Sequence, residues 1–262
     1  IRPRDWSSDV CSSDLQTGMV FTVRLLSSLL LLLALTCQAH EITAESWVVT
    51  NEEGNVIAGQ NISDQRPIAS ITKLITAMTI INGGQSLDEP VKAEGFGLIT
   101  RRQLIDMAIV KSNNQAADQL CRLYVGGYGM CIADMNHLLF KLNLINTIVY
   151  DSTGLDKRNQ STAIELTKLL QEASKYPEIV SASHQSKIKI KTKKRFWVFK
   201  NTNPLIGKRQ DIIVSKTGFT KPAGGCLAML MATDKGTRSV VVLGSQNTHT
   251  RIPEAEFIAD TY

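Results

Sequence analysis

The stretch Arg66-Pro67-Ile68-Ala69-Ser70-Ile71-Thr72-Lys73 opens a helix with a serine and a lysine three residues apart. Apolar residues then recur at helical spacing, at Ile71, Leu74, Ile75, Met78 and Ile81. Pro67 stands just upstream, where a helix is entered rather than continued. Residues i and i+3 share one face of a helix, so this pattern predicts that the Lys73 amine reaches the Ser70 hydroxyl.

This pair has the chemistry of an activated nucleophile. A serine hydroxyl reacts poorly until a base takes its proton, and lysine can be that base when burial or another cation lowers its pKa. The N–H groups and dipole at a helix N-terminus also suit a developing oxyanion. The same pattern recurs at residues 186–189, but there the period-two alternation predicts a strand, on which i and i+3 point to opposite faces. We therefore predict Ser70, and not Ser186, as the nucleophile.

Two further short motifs carry suitable chemistry. Ser112-Asn113-Asn114 lies between a helical pattern ending near Val110 and another beginning near Gln115, so its hydroxyl could relay a proton and its amide could bind a peptide carbonyl. The alternative role is a helix N-cap.

Lys216-Thr217-Gly218 ends a strand that begins at Ile212, where a cation and a hydroxyl could hold a carboxylate and Gly218 would allow close approach. The alternative here is an edge strand turning into a loop.

The order of these motifs decides between the alternatives. S-x-x-K on a helix, S-x-N in a helical region and K-T-G on a later strand form the set found in β-lactamases and penicillin-binding proteins. The chain resembles the low-molecular-weight penicillin-binding proteins, the serine D-Ala-D-Ala carboxypeptidase/endopeptidase family, from about residue 44 to 262. The longer strings that carry this likeness are Asp151-Ser152-Thr153-Gly154-Leu155, Asn201-Thr202-Asn203-Pro204-Leu205 and Lys216-Thr217-Gly218-Phe219-Thr220 with Gly224-Gly225-Cys226.

The resemblance implies a role for each matched residue. Ser70 would attack the penultimate D-alanine carbonyl with Lys73 as base, and Ser112 would pass the proton to the leaving amine. Asn114 would bind the substrate amide, and the backbone N–H groups of Ser70 and Phe219 would form the oxyanion hole. Lys216 and Thr217 would bind the terminal carboxylate beside Gly218, and Lys216 would also lower the pKa of Lys73. Penicillins would acylate Ser70 stably.

The resemblance also implies partners and a location. The partners are peptidoglycan peptide stems and β-lactam antibiotics as covalent inhibitors, with no cofactor, no metal and no nucleic acid. Because the chain stops at Tyr262, without a second β-rich domain or an amphipathic anchor, it resembles the soluble periplasmic D,D-endopeptidase branch. Carboxypeptidase activity stays open.

Two other functions remain to be compared. A class A-like β-lactamase needs a glutamate that activates water, and the candidates Glu165, Glu172 and Glu178 lack the E-x-x-L-N context. A non-catalytic sensor of muropeptides or β-lactams would be indicated by a broken motif, and all three motifs are intact.

Strand patterns occur near both chain ends, with helical patterns between them. Trp47 to Thr50 and Val56 to Ala58 are early strands, and Ile212 to Val214, Cys226 to Ala232 and Ser239 to Leu243 are late ones. We predict an α+β fold, with an antiparallel sheet built from both chain ends and an inserted helical lobe, as in DD-peptidases and β-lactamases.

The N-terminal part predicts processing rather than structure. Residues 1–18 resemble translated sequencing-adapter DNA, and residues 19–39 have the layout of a signal peptide that leaves no stable membrane anchor after cleavage. Cys37 offers a lipoprotein alternative. Residues 40–262 would then form the catalytic domain in the periplasm.

Cysteines and one basic run complete the prediction. Cys121, Cys131 and Cys226 remain after residue 40, and only the first two are close in sequence; we favour buried thiols with at most one bridge.

Residues 187–195 carry six Lys or Arg. This basic run either attracts an anionic polymer or forms the solvated face of a hairpin, and we favour the second interpretation. The net charge of +5 does not by itself indicate nucleic-acid binding.

Overall fold

The computed structural model describes residues 42–192 and 195–262. The predicted adapter-derived stretch, the predicted signal peptide and the predicted start of the catalytic domain at residue 40 lie outside the described residues.

A five-stranded antiparallel sheet joins the two ends of the described chain. Its spatial order is β2-β1-β11-β10-β9. The strands are β1 (Ser46–Thr50), β2 (Val56–Gln60), β9 (Ile212–Thr220), β10 (Gly224–Thr233) and β11 (Gly236–Ser245). Strand β1 pairs with β11, with Ser46 opposite Leu243, so the earliest and latest segments close one sheet. The predicted α+β architecture is confirmed.

The remaining elements lie mostly between these two groups of strands. The helices are α1 (Thr72–Asn82), α2 (Arg101–Val110), α3 (Asn114–Arg122), α4 (Gly127–Lys141), α5 (Ala163–Ala173), α6 (Pro177–His184) and α7 (Arg251–Thr261), with a 3-10 turn at Ala69–Ile71. The short strands are β3 (Arg66–Pro67), β4 (Pro90–Ala93), β5 (Gly97–Thr100), β6 (Gln160–Ser161), β7 (Lys187–Lys191) and β8 (Phe196–Lys200).

Period-two alternation along the strands produces two separate apolar layers. Val49, Val240 and Val242 face Ala255 and Ile258 of α7 in one cluster. Their neighbours Val48, Val241 and Leu243 face the helical lobe in the other. The sheet is therefore covered on both faces, by the last helix on one side and by the inserted lobe on the other.

Helix α1 is the centre of the lobe. Residues 72–80 are all buried, including threonines whose hydroxyls bond to backbone carbonyls. For example, Thr76 Oγ1 donates to Ser152 O at 2.8 Å. Because the helix is buried on all sides, it has no polar face turned to solvent along these residues. The 3-10 turn that precedes its N-terminus contacts β9, and this contact positions the site described below.

A disulfide joins helices α3 and α4. Cys121 and Cys131 are both buried, and their Cα atoms lie 5.3 Å apart. Cys226 is a buried free thiol on β10. Within residues 42–192 and 195–262, no helix has both the length and the apolar character required to span a bilayer.

We expect the Cys121–Cys131 bridge to stabilise the lobe measurably. Closing a loop of this size contributes about 2 to 3 kcal/mol by restricting the unfolded chain. The double variant Cys121→Ala/Cys131→Ala should therefore unfold at lower urea concentration, and its midpoint should not change with reductant. Protein with the native cysteines, refolded with and without dithiothreitol, should show the difference. Cys226→Ala is the control, because it removes a buried thiol and keeps the bridge; equal sensitivity to reductant in all three proteins would contradict the assignment.

Candidate active site

Ser70 lies on a sharp turn between β3 and α1. The preceding residue Ala69 has φ 45°, a left-handed conformation that costs a non-glycine residue roughly 1–3 kcal/mol. Two hydrogen bonds hold the turn: Thr72 Oγ1 donates to Ala69 O at 2.8 Å, and Ile68 N donates to Asn159 O at 3.1 Å. The sequence predicts that the helix opens at Ser70. In the structure Ser70 lies in the 3-10 turn, and the α-helix begins two residues later, at Thr72.

The Lys73 amine makes three hydrogen bonds. Its Nζ lies 2.7 Å from Ser70 Oγ, 2.8 Å from Asn114 Oδ1 and 2.6 Å from the Thr153 carbonyl oxygen. The predicted contact between Ser70 and Lys73 is thus present. The amide oxygen and the carbonyl oxygen can only accept, so they take two N–H groups of the amine. In a neutral amine this leaves the lone pair for the proton of the Ser70 hydroxyl.

Burial favours that neutral form. Lys73 is fully buried, and its pKa is lowered from 10.5 to about 7. Burial is the larger effect and lowers the pKa, while the negative charge of Asp151 raises it. At neutral pH a substantial fraction of Lys73 is therefore deprotonated beside a serine hydroxyl. This is the condition for a general base.

The loop behind Lys73 is organised by Asp151. Its carboxylate accepts hydrogen bonds from Thr153 N at 3.1 Å, Gly154 N at 2.7 Å and Asn159 Nδ2 at 2.8 Å. This loop presents the Thr153 carbonyl to Lys73. Gly154 packs directly on the Ala69 carbonyl, and a Cβ there would overlap that oxygen. The string from 151 to 155 is prominent in the sequence, but the role of Asp151 was not predicted from it.

The S-x-N segment combines a structural and a functional position. Asn113 is the N-cap of α3, since its side chain accepts from Ala116 N at 2.9 Å. The capping alternative therefore falls on Asn113 and leaves Ser112 and Asn114 for the cleft. Ser112 has φ 57°, a second left-handed non-glycine residue beside the site. The Asn114 oxygen faces Lys73, in addition to the substrate contact that the resemblance implies.

Strand β9 supplies the opposite wall. Lys216 is buried, and its Nζ donates to Thr217 O at 2.9 Å. Burial lowers the pKa of Lys216 well below its usual value, and the charges of Lys73 and Arg251 lower it further. Repulsion between the two lysines thus contributes to the lowered pKa of Lys216, and burial is the largest cause of the lowered pKa of Lys73.

The rest of the K-T-G segment shapes the cleft. Thr217 Oγ1 donates to Thr202 Oγ1 at 2.7 Å, and Phe219 is half-exposed at the rim. A Cβ on Gly218 would lie only 3.0 Å from Ser70 N, so glycine keeps the strand against the nucleophile's backbone.

Arg251 belongs to this wall and was missed in the sequence analysis. It is buried, its Nη1 donates to Gly218 O, and its Nε has no hydrogen-bond partner among the described residues. Burial lowers its pKa. The sequence does contain one signal for Arg251. It lies in the first turn of a helix, where a cation is disfavoured by the helix dipole, and such a residue indicates another function.

Together these residues form an open cleft of about 240 Å³. Its described lining consists of Ser70, Ser112, Asn114, Leu155, Thr202, Thr217, Gly218, Phe219 and Arg251. Lys73 and Lys216 are buried next to these residues. A larger cavity of about 450 Å³ lies at the far end of α1, near Thr79 and Asn82, but its described lining has no serine or cysteine. Size therefore does not identify the site, whereas the chemistry of the lining does.

The candidate glutamates of a β-lactamase are engaged elsewhere. Glu165 is buried and accepts from Thr147 Oγ1 at 2.6 Å. Glu172 pairs with Lys175 at 2.7 Å, and Glu178 lies 3.6 Å from Arg102. Among the described residues that line the cleft there is no glutamate. The second S-x-x-K lies at the start of β7, where Lys189 is exposed.

Comparison with known proteins gives the same family. The family model described as D-alanyl-D-alanine carboxypeptidase matches residues 34–95 and 90–247. The chain is 33% identical to a D-alanyl-D-alanine endopeptidase of Escherichia coli K12, covering 85% of this chain and 78% of that protein. It is also 33% identical to a D-alanyl-D-alanine endopeptidase of Pseudomonas aeruginosa, covering 82% and 76%.

A solved structure agrees with this fold. Penicillin-binding protein D2 of Listeria monocytogenes, in its ampicillin-bound form, superimposes with a TM-score of 0.74 at 25% identity, over 84% of this chain and 97% of that one. From the family match, the two endopeptidases and this shared fold, we conclude that the chain belongs to the D-alanyl-D-alanine carboxypeptidase family of serine-type D,D-peptidases.

Proposed function

We propose that this chain hydrolyses D-alanyl bonds in peptidoglycan through an acyl-enzyme on Ser70, with peptide crosslinks as its preferred substrate. The observation that carries the proposal is the 2.7 Å contact between Ser70 Oγ and a buried Lys73 whose other two N–H groups are already engaged. This arrangement leaves the amine one function, which is to accept the serine proton.

The proposed reaction proceeds through an acyl-enzyme. Ser70 Oγ attacks the D-alanyl carbonyl carbon while its proton passes to Lys73 Nζ, and the carbonyl oxygen becomes an oxyanion. The backbone N–H groups of Ser70 and Phe219 would stabilise that oxyanion. As the C–N bond breaks, Ser112 would relay the proton to the leaving amine. Water then attacks the ester and returns Ser70 to its free form.

The cations of the β9 wall would hold the substrate's terminal carboxylate. Thr217 and Arg251 line the cleft, and Lys216 lies beneath them. Neither Lys216 nor Arg251 has an ion-pair partner among the described residues, so a carboxylate entering here could pair with both and would favour their charged forms. β-Lactams carry a carboxylate beside a reactive carbonyl, which supports their proposed role as covalent inhibitors.

The endopeptidase preference and the location are part of the proposal. Two relatives at 33% identity are named endopeptidases, which supports crosslinks as substrate. The Cys121–Cys131 bridge fits an oxidising compartment, and residues 19–39 predict export, which together support the periplasm. Residues 1–18 as an artefact and 40–262 as the catalytic domain remain proposals of the same kind.

Replacing the nucleophile should abolish covalent labelling. Ser70→Ala removes the hydroxyl that we propose forms the ester, so a fluorescent penicillin should no longer label the protein on a denaturing gel. Ser186→Ala is the matched control, because it alters the serine of the second S-x-x-K and should label like the parent chain. Equal labelling of the Ser70→Ala variant would sink the assignment.

Acylation should depend on the charge of Lys73. Only the neutral amine accepts a proton, so the acylation rate should rise as pH increases through about 7 and level off above it. Asp151→Asn removes the negative charge that raises this pKa, so the midpoint of the rising limb should move to lower pH. Stopped-flow acylation across pH 5 to pH 9 measures both.

Asp156→Asn is the control for that shift. Asp156 belongs to the same loop, but it is paired with Arg158 and does not act on the pKa of Lys73. Its midpoint should match that of the parent chain. A common midpoint in all three proteins would show that the acid limb reports a group other than Lys73.

Substrate preference separates the two activities of the family. A crosslinked muropeptide dimer should be converted to monomers faster than a pentapeptide muropeptide loses D-alanine, as read by product mass. Ser70→Ala, run in parallel, should yield neither product. Faster release of D-alanine would make the chain a carboxypeptidase and overturn the endopeptidase preference without affecting the nucleophile.

A further inference from the structure

The positive charge of this chain is concentrated in one segment. Between Glu178 and Asp211 there is no Asp or Glu, whereas this segment carries nine of the 29 Lys and Arg. The other 20 basic residues are outnumbered by the 24 acidic ones. The excess of +5 therefore arises from the region of the β7–β8 hairpin, and not from a uniformly basic surface.

The hairpin has two different faces. Ile188, Ile190, Trp197 and Phe199 pack against the apolar core of the lobe. The opposite face, here called the lysine face, consists of Lys187, Lys189, Lys191, Phe196, Val198 and Lys200. Phe196 is 60% exposed and Val198 44% exposed. In the described part of the chain, none of the four lysines has an ion-pair partner.

This composition opposes the stability of an isolated hairpin. Lys187 lies directly opposite Lys200, and like charges at such cross-strand positions are destabilising. Phe196 lies opposite Lys191 and exposes an aromatic ring to water. A hairpin selected only for solubility would carry mixed charges and small polar residues here. The lysine face therefore has the features of a contact surface: cations interleaved with apolar side chains.

The lysine face leads directly to the cleft. Asn201 N donates to Ser186 O at 2.9 Å and continues the β7–β8 pairing by one residue. The next residue, Thr202, lines the cleft and bonds to Thr217. Strand β8 ends at Lys200, so this end of the lysine face lies two residues from Thr202 of the cleft lining. The face extends from the cleft by five residues, which is roughly 17 Å.

We propose that the lysine face binds the peptidoglycan polymer next to the bond being cleaved, by pairing its lysines with carboxylates of neighbouring peptide stems and packing Phe196 and Val198 on the chain. This inference rests on the proposed function and identifies a polymer-binding surface outside the cleft. An extended peptide stem of four or five residues is of the same length, roughly 14–18 Å. The surface would serve insoluble, polymeric substrate and would be dispensable for a small one.

The test compares two triple variants with equal charge. Lys187→Gln/Lys189→Gln/Lys191→Gln neutralises the exposed lysines of β7. Lys141→Gln/Lys168→Gln/Lys235→Gln removes the same charge from exposed positions on other elements. Both are built in the full chain, with Ser70→Ala added for binding measurements. Insoluble sacculi are the probe, and the amount of protein that sediments with them is measured over a range of salt concentrations.

We expect the β7 triple variant to bind sacculi about tenfold more weakly at low salt, because it loses three exposed ion pairs that each contribute modestly to binding. The second triple variant should bind like its parent, and added salt should weaken parental binding. Fluorescent-penicillin acylation, measured with Ser70 present, should stay within about twofold for both variants, since a small molecule does not reach the hairpin. Lys187→Arg/Lys189→Arg/Lys191→Arg keeps the charge and should retain binding.

Other outcomes overturn the inference. Equal weakening in both Gln variants would show a general charge effect, and unchanged binding in the β7 variant would show that the face is not used. Sedimentation with phosphatidylglycerol vesicles but not with sacculi would assign the face to a membrane. If the parent chain fails to be acylated or to cleave a soluble crosslinked dimer, the proposed function fails, which is a separate result. If the β7 Gln variant does not fold, salt-insensitive binding of the parent chain would overturn the inference.

Discussion

The amine of Lys73, held in a dry pocket, is the interaction on which the rest of this structure depends. It can act as a base near neutral pH only because water is excluded from it, and water is excluded because residues 72–80 of α1 are buried throughout. A gap that admitted water would return the pKa toward 10.5 and leave the amine charged. The reactivity of Ser70 therefore depends on the packing of the core around helix α1.

The pocket also requires that distant segments meet at close range. Asn114 and Thr153 each present one oxygen to Lys73, and they lie 41 and 80 residues away from it in sequence. Ala69 is held in a left-handed conformation beside them. Gly154 and Gly218 pack against the backbone of the turn, where a larger residue would not fit without a shift. This close packing holds Ala69 in its unfavourable conformation. A strained turn of this kind persists only when its surroundings determine it fully.

Sequence reasoning reached the residues of the three short motifs, through local spacing and the family resemblance, and missed the contributions of residues outside them. Ser70 and Lys73 are three residues apart, so helical geometry was enough to predict their contact. The architecture followed in the same way from periodicity at both chain ends. Arg251 and Asp151 were not predicted: a cation at a helix start is only a weak signal, and the contacts of these residues with Gly218 and with the loop behind Lys73 exist only in the folded chain. The orientation of the Asn114 oxygen toward Lys73 is likewise a tertiary property.

The cleft and the hairpin use positive charge in opposite ways. Lys73, Lys216 and Arg251 are desolvated, and burial lowers the pKa of each of them. A substrate carboxylate beside Arg251 and Lys216 would favour their charged forms and concentrate positive charge on the β9 wall. Lys73 must stay neutral at the same moment, and its two acceptors do not prevent this, because both are uncharged. The lysines of β7 lie in solvent instead, outside the cleft, and they would attract the polymer at any stage of the reaction.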